Sequence, residues 1–168
     1  MSIAIALKTV AAGAFATLLC TACAVWMPAQ IGQTLDQVRA QRGAPSVTSV
    51  NPDGSTRWVY ASAPFGQVAY AITASNGKVT GVAQVLTSEE FARVRIGEDD
   101  RNSILARFGP PANTFRLTLT PREVWSYRMK QDDVFPILMH VQFDPQGVVR
   151  ELVVGPDPLA DPGEFLKN

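Results

Sequence analysis

Two stretches of this chain repeat one another, and the repeat constrains the fold more than any other feature. Gly109-Pro110-Pro111 runs on to Trp125-Ser126-Tyr127, and Gly43-Ala44-Pro45 runs on to Trp58-Val59-Tyr60. The Gly and Pro pairs are offset by 66 residues and the Trp and Tyr pairs by 67. A Gly accepts the left-handed backbone of a helix end, and a following Pro prevents the helix from resuming. Trp-x-Tyr in an alternating run puts both rings on one face of a strand. Four landmarks recur in order: Ile-Gly, Gly-x-Pro, Trp-x-Tyr and a Gly in the last hairpin turn. A single eight-stranded domain with recurrent turns would also give some of these. All four in register favour a duplicated unit.

The first unit opens with a helix that Thr34 caps, with Gln37 as the reciprocal partner, and Leu35 and Val38 share its apolar face. Strands are expected at Val47 to Val50, Thr56 to Ala61, Val68 to Thr73 and Val79 to Leu86. Asn51-Pro52-Asp53-Gly54, Pro64-Phe65-Gly66 and Ser75-Asn76-Gly77-Lys78 are the turns between them. The second unit has an additional helix, capped by Thr87, with Phe91 and Val94 as its apolar pair. Asp99 or Asp100 caps the next helix, which carries Ile104, Leu105 and Phe108. Strands follow at Asn113 to Leu119, Glu123 to Met129, Ile137 to Phe143 and Val148 to Val154, with an acidic loop at Lys130 to Pro136. Tight loops between short strands imply antiparallel meanders. The expected class is α+β: two tandem units, each a short helix or helix pair on an antiparallel sheet of three to four strands.

The division along the chain is 1–22 signal segment, 23–30 tether, 31–86 first unit, 87–154 second unit and 155–168 a Pro/Asp-rich, exposed tail. Lys8 precedes an apolar, Ala-rich run from Thr9 to Leu19, the pattern of a secretory signal and short for a membrane span. Leu19-Cys20-Thr21-Ala22-Cys23 then resembles a bacterial lipobox, in which the Cys becomes the lipidated N-terminus. Cys23 follows a small residue and is the expected lipidation site. Cys20 follows Leu19 and fits less well, while a cleaved soluble form and an uncleaved anchor are the alternatives. With both Cys in this segment, the folded part carries no disulfide. Apolar residues are 46% and charged residues 18%, a globular balance. A net charge of zero offers no basic field for nucleic acid.

These motifs resemble the SmpA/OmlA, or BamE-like, family of small outer-membrane lipoproteins. The first unit supplies Gly32, Thr34, Val38, Gly43, Pro45, Trp58, Tyr60 and Gly77. The second supplies Gly97, Ile104, Gly109, Pro111, Trp125, Tyr127 and Gly147, with a family-like lead-in from Phe91 to Gly97. The family's namesake has one copy where this chain has two. The tandem form is similar in architecture to a secreted β-lactamase inhibitor protein that grips enzymes with the concave face of its sheet. The resemblance implies a lipid-anchored, periplasm-facing binding or scaffold protein of the outer membrane, supporting β-barrel assembly or envelope integrity. The alternative is an inhibitor of a periplasmic enzyme. Both imply protein partners and no cofactor.

The residues offer little for catalysis. His140 is the only histidine, in a strand whose Met139 and Val141 face the other way, and it reads as a side chain on the polar face. No nucleophile elbow or metal-ligand cluster accompanies it. The chain is therefore expected not to be an enzyme. Asp132 and Asp133 could hold a cation with Glu123, but read more simply as loop charges. Trp58, Tyr60, Trp125 and Tyr127 are either core rings beneath the helices or anchors on an open face, with core the better reading. Phe65 and Phe135 stand among turn formers and are, with Asp132 and Asp133, the candidate partner contacts.

Overall fold

The computed structural model describes residues 29–160. The signal segment with Cys20 and Cys23, most of the tether, and the tail from 161 to 168 lie outside those residues. The first unit consists of helix α1 (Leu35–Arg42) and strands β1 (Val47–Val50), β2 (Thr56–Ala61), β3 (Ala69–Ser75) and β4 (Lys78–Gln84). The second has helices α2 (Ser88–Phe91) and α3 (Arg101–Phe108) and strands β5 (Asn113–Arg116), β6 (Glu123–Gln131), β7 (Phe135–Phe143) and β8 (Val149–Pro156). Each sheet is a four-stranded antiparallel meander in sequence order. The expected tandem α+β architecture is what the structure has.

The duplication extends to individual hydrogen bonds. Thr34 and Asp100 both form capping boxes, with Gln37 and Ser103 respectively, because each side chain satisfies an N–H that the first turn leaves unpaired. Both helices end at a Gly whose backbone only Gly adopts readily: Gly43 at φ 77°, ψ −164° and Gly109 at φ 80°, ψ −168°. The freed carbonyl then meets the Tyr of the Trp-x-Tyr motif. Tyr60 Oη donates to Gly43 O and Tyr127 Oη to Gly109 O, each at 3.1 Å. At the other helix end, Gly32 N donates to Val79 O and Gly97 N to Val149 O, both at 2.8 Å. The short motifs of the sequence are thus the fasteners between helix and sheet.

Each Trp-x-Tyr pair lies beneath its own helix. Val38 of α1 packs with Trp58, Tyr60, Ile72 and Val79, and Arg39 lies over the Trp58 ring, 5.1 Å from its centre. In the second unit Tyr127 meets Phe91 and Phe108, which stack on each other with centres 4.0 Å apart. Burial of each such ring stabilises the fold by about 2 kcal/mol. Its burial pushes the Tyr127 phenol well above the ordinary tyrosine range.

The back of the first sheet and the second unit share one core, separate from the cluster beneath α1. Helix α3 lies on its own sheet through Ile104 and Phe108 and also crosses β1, β2 and β3. There it meets the face opposite Trp58, made of Val59, Ala69 and Ala71, all buried. A sheet with one helical cover was the simple expectation. The first sheet instead takes helices on both faces, because its second face is small enough for a backbone to approach. Arg57 fixes the crossing: Nε donates to Ala106 O at 3.3 Å and Nη2 to Arg107 O at 3.2 Å. These carbonyls belong to the last turn of α3, where a cation also meets the negative end of the helix dipole.

Other boundaries differ from expectation. Lys130 to Pro136 is not a long loop: β6 runs to Gln131, β7 begins at Phe135, and a tight turn joins them. β5 stops at Arg116, short of Leu119. Val94 lies beyond α2, though still buried. Gly155 and Pro156 are not tail but the end of β8, and Asp157 after them is buried against Arg128. Strand pairing across the sheet and this ion pair hold what composition alone marks as breakers.

The two helix-terminal glycines give a test. Alanine at either position suffers backbone strain of about 1–3 kcal/mol. A Cβ at Gly43 would meet open space, whereas one at Gly109 would lie 3.1 Å from both Val59 Cγ1 and Ala61 Cβ. Gly109→Ala should therefore destabilise the protein more than Gly43→Ala in urea denaturation. Equal losses would show that α3 does not press on the first sheet.

Candidate functional site

The β6–β7 hairpin carries three of the four candidate contact residues. Asp132 and Asp133 form its turn with left-handed φ values of 52° and 57°, a conformation that Asp tolerates better than most side chains. Val134 N closes the turn onto Gln131 O at 3.1 Å. The two carboxylates border a small polar depression with Lys130, Thr87, Ser88 and Glu89. They do not meet Glu123, which lies at the far end of β6 and is held by Arg101 at 2.9 Å. The Trp125 indole N–H donates to Glu123 at 2.8 Å, and this bond, followed by Arg101, holds its carboxyl below the usual range. The suggested three-carboxylate cation site is therefore not assembled. Among the described residues no group of three His, Cys, Asp or Glu is placed to hold a metal.

Phe135 begins β7 and is 64% exposed. By strand alternation it shares its face with Ile137 and Met139, the side on which α2 lies. Here α2 leaves part of the sheet uncovered. An apolar groove of about 330 Å³ runs between Phe91 and Ala92 on one side and Ile137, Met139, Leu152 and Val154 on the other. Val154 is 53% exposed although it faces the groove side of the sheet. The groove follows from the shortness of α2, a single turn that cannot roof all of β7 and β8.

Phe65, 78% exposed, follows a cis Ala63-Pro64 bond in the β2–β3 connection. Its neighbour Pro64 accepts from Arg128 Nε at 3.0 Å. Arg128 points to the outer face of the second sheet, away from the helices, because Tyr127 and Met129 point inward. Phe65 thus lies in the β2–β3 connection, whereas Phe135 lies in β7 just after the equivalent β6–β7 turn.

The outer face holds a pair that sequence reading missed. Ser126 and His140 are cross-strand partners, with Oγ and Nδ1 2.8 Å apart. Phe115 meets the imidazole edge-on at 6.1 Å between ring centres. Gly155 makes room for the ring, since a Cβ there would lie 3.0 Å from Nε2. Only strand register brings Ser126 to His140, and register is not written in either residue's neighbours. A Ser–His pair needs an exposed nucleophile and a group to orient the base. Ser126 is buried, and among the described residues no carboxylate bonds to His140, so the two pack as a polar pair. Burial lowers the His140 pKa below the ordinary histidine value.

No known protein family and no curated protein matches the chain. Among solved structures it is similar to a DUF4309 family protein (YjgB) from Bacillus subtilis, with 15% identity over 74% of this chain and 79% of that one, and a TM-score of 0.33.

The His140 environment predicts a pH dependence. The unfolded chain takes up a proton near pH ~6.5, while the folded chain resists it to lower pH. The unfolded state then binds more protons, so stability should fall as pH drops from neutrality through this window. Glu123 and Asp144 are shifted downward and lose their contribution only at more acidic pH. Melting temperatures of wild type and His140→Gln between pH 7 and 5 should show a smaller decline for the variant. Parallel declines would refute the assignment.

Proposed function

We propose that the chain is a lipid-anchored binding or scaffold protein on the periplasmic side of the outer membrane, allied to the SmpA/OmlA and BamE lipoproteins and acting without catalysis. The observation that carries this reading is the apolar groove beside α2, with Val154 exposed in its wall and Phe135 exposed on the same face of β7. Aromatic and aliphatic side chains clustered on an exposed groove favour a protein contact. The interlocked core supports the same reading, because a groove framed by α2, β7 and β8 needs little ordering before it binds. Lipidation at Cys23 would add about 0.8 kcal/mol of membrane affinity per buried CH₂, holding the groove at the envelope surface. The partner is then a component of the β-barrel assembly machinery.

Affinity capture from a detergent extract tests the proposal. Wild-type protein should recover membrane barrel components, and Phe135→Ala should lose them while leaving the melting temperature unchanged. A soluble enzyme in a one-to-one complex would instead support the inhibitor alternative. An unacylated mature chain by mass spectrometry would remove the anchor from the proposal.

A further inference from the structure

The outer edge of the second sheet is unfinished. β8 lies at the end of its sheet, so one side faces no strand. Only its first residue uses that side: Val149 N donates to Asp99 O, and Val149 O accepts from Gly97 N, both at 2.8 Å. From 150 to 156 the outward backbone groups meet no partner among the described residues. Proteins usually blunt such edges by keeping them short or by placing Lys or Pro in them. Of the four edges, β1 and β5 have four residues each, and β4 has seven but carries Lys78 and is bonded at Val79 to Gly32 and Gln33, whereas β8 has eight and no Lys. Its charges, Arg150 and Glu151, stand at one end and Pro156 at the other, leaving Leu152-Val153-Val154-Gly155 unprotected.

We infer that β8 pairs antiparallel with β8 of a second copy of this chain, about a two-fold axis through Val153. The free segment decides the occupant. It is bounded on one side by the Val149 contacts and on the other by Pro156, which has no N–H to donate. Val153 is the midpoint of residues 150 to 156, so a two-fold axis there sets that stretch against its own copy, the geometry of an isologous contact. In this register Leu152 faces Val154 of the second copy, on the side of the apolar groove. Glu151 faces Gly155 and Arg150 faces Pro156, so no like charges oppose each other. A net charge of zero leaves no long-range repulsion between copies. The exposed Val154 of each copy is thereby covered, and two four-stranded sheets become one of eight strands. The pairing requires neither membrane anchoring nor a barrel partner, although it draws on Leu152 and Val154, which also line the groove.

Sedimentation velocity on the full chain carrying Cys20→Ser and Cys23→Ser, in mild detergent over about 1–100 μM, tests this. A reversible dimer is expected. Val154→Lys should weaken it by about tenfold or more, with an unchanged circular dichroism spectrum. In the same background Val153→Cys supplies the only thiol, and mild oxidation should link two copies, because residues facing each other across the axis lie within disulfide reach. A monomer throughout that range overturns the inference. So does a dimer that Val154→Lys leaves intact, or a dimer in which Val153→Cys fails to cross-link.

Discussion

The structure depends on how closely α3 approaches the back of the first sheet. Gly109, at the end of α3, lies where a side chain would touch Val59 and Ala61. Ala69 and Ala71 lie beside them on the same face. Small side chains let a helix end come within contact of a strand backbone, and Arg57 then satisfies the last carbonyls of α3. Through this crossing two units too small for separate large cores share one. Phe91, Phe108 and Tyr127 lie in the same cluster as Val59, Ala71 and Val85 of the first sheet. Arg128 adds a second tie, donating to Pro64 from the far unit while pairing with Asp157.

The units differ where that crossing occurs. The face that α3 covers on the first sheet is built from Val59, Ala61, Ala69 and Ala71. The equivalent face of the second sheet has Ser126, Arg128, Leu138 and His140. A larger and more polar set cannot take a helix end in the same way, so the stacking ends there, as terminal repeats end an array with a polar outer face. Ser126 and His140 satisfy each other on that surface.

The exposed apolar surface has a different origin. It arises because α2 is one turn long and the β6–β7 hairpin extends past it. The groove and the free edge of β8 are adjacent, since Leu152 and Val154 line one and belong to the other. Side-chain contact in the groove and backbone pairing along the edge therefore share Leu152 and Val154.

The sequence by itself determined the local grammar. Thr34 with Gln37, Gly43, the Asn76-Gly77 turn and Trp-x-Tyr each act within a few residues, through caps, left-handed backbones and strand alternation, so the units and most strands were legible. The core placement of Trp58, Tyr60 and Tyr127 was legible for the same reason. The Ala face of β3 was visible as a pattern, but nothing nearby said that a helix of the other unit would cover it. The hold of Arg57 on α3, the bond between Ser126 and His140, and the groove beside Phe135 were decided only by tertiary structure. Each joins residues far apart in the chain, and which of them meet depends on strand register and on the angle at which α3 crosses the first sheet. Those quantities are fixed by the packing of the whole core rather than by any short stretch.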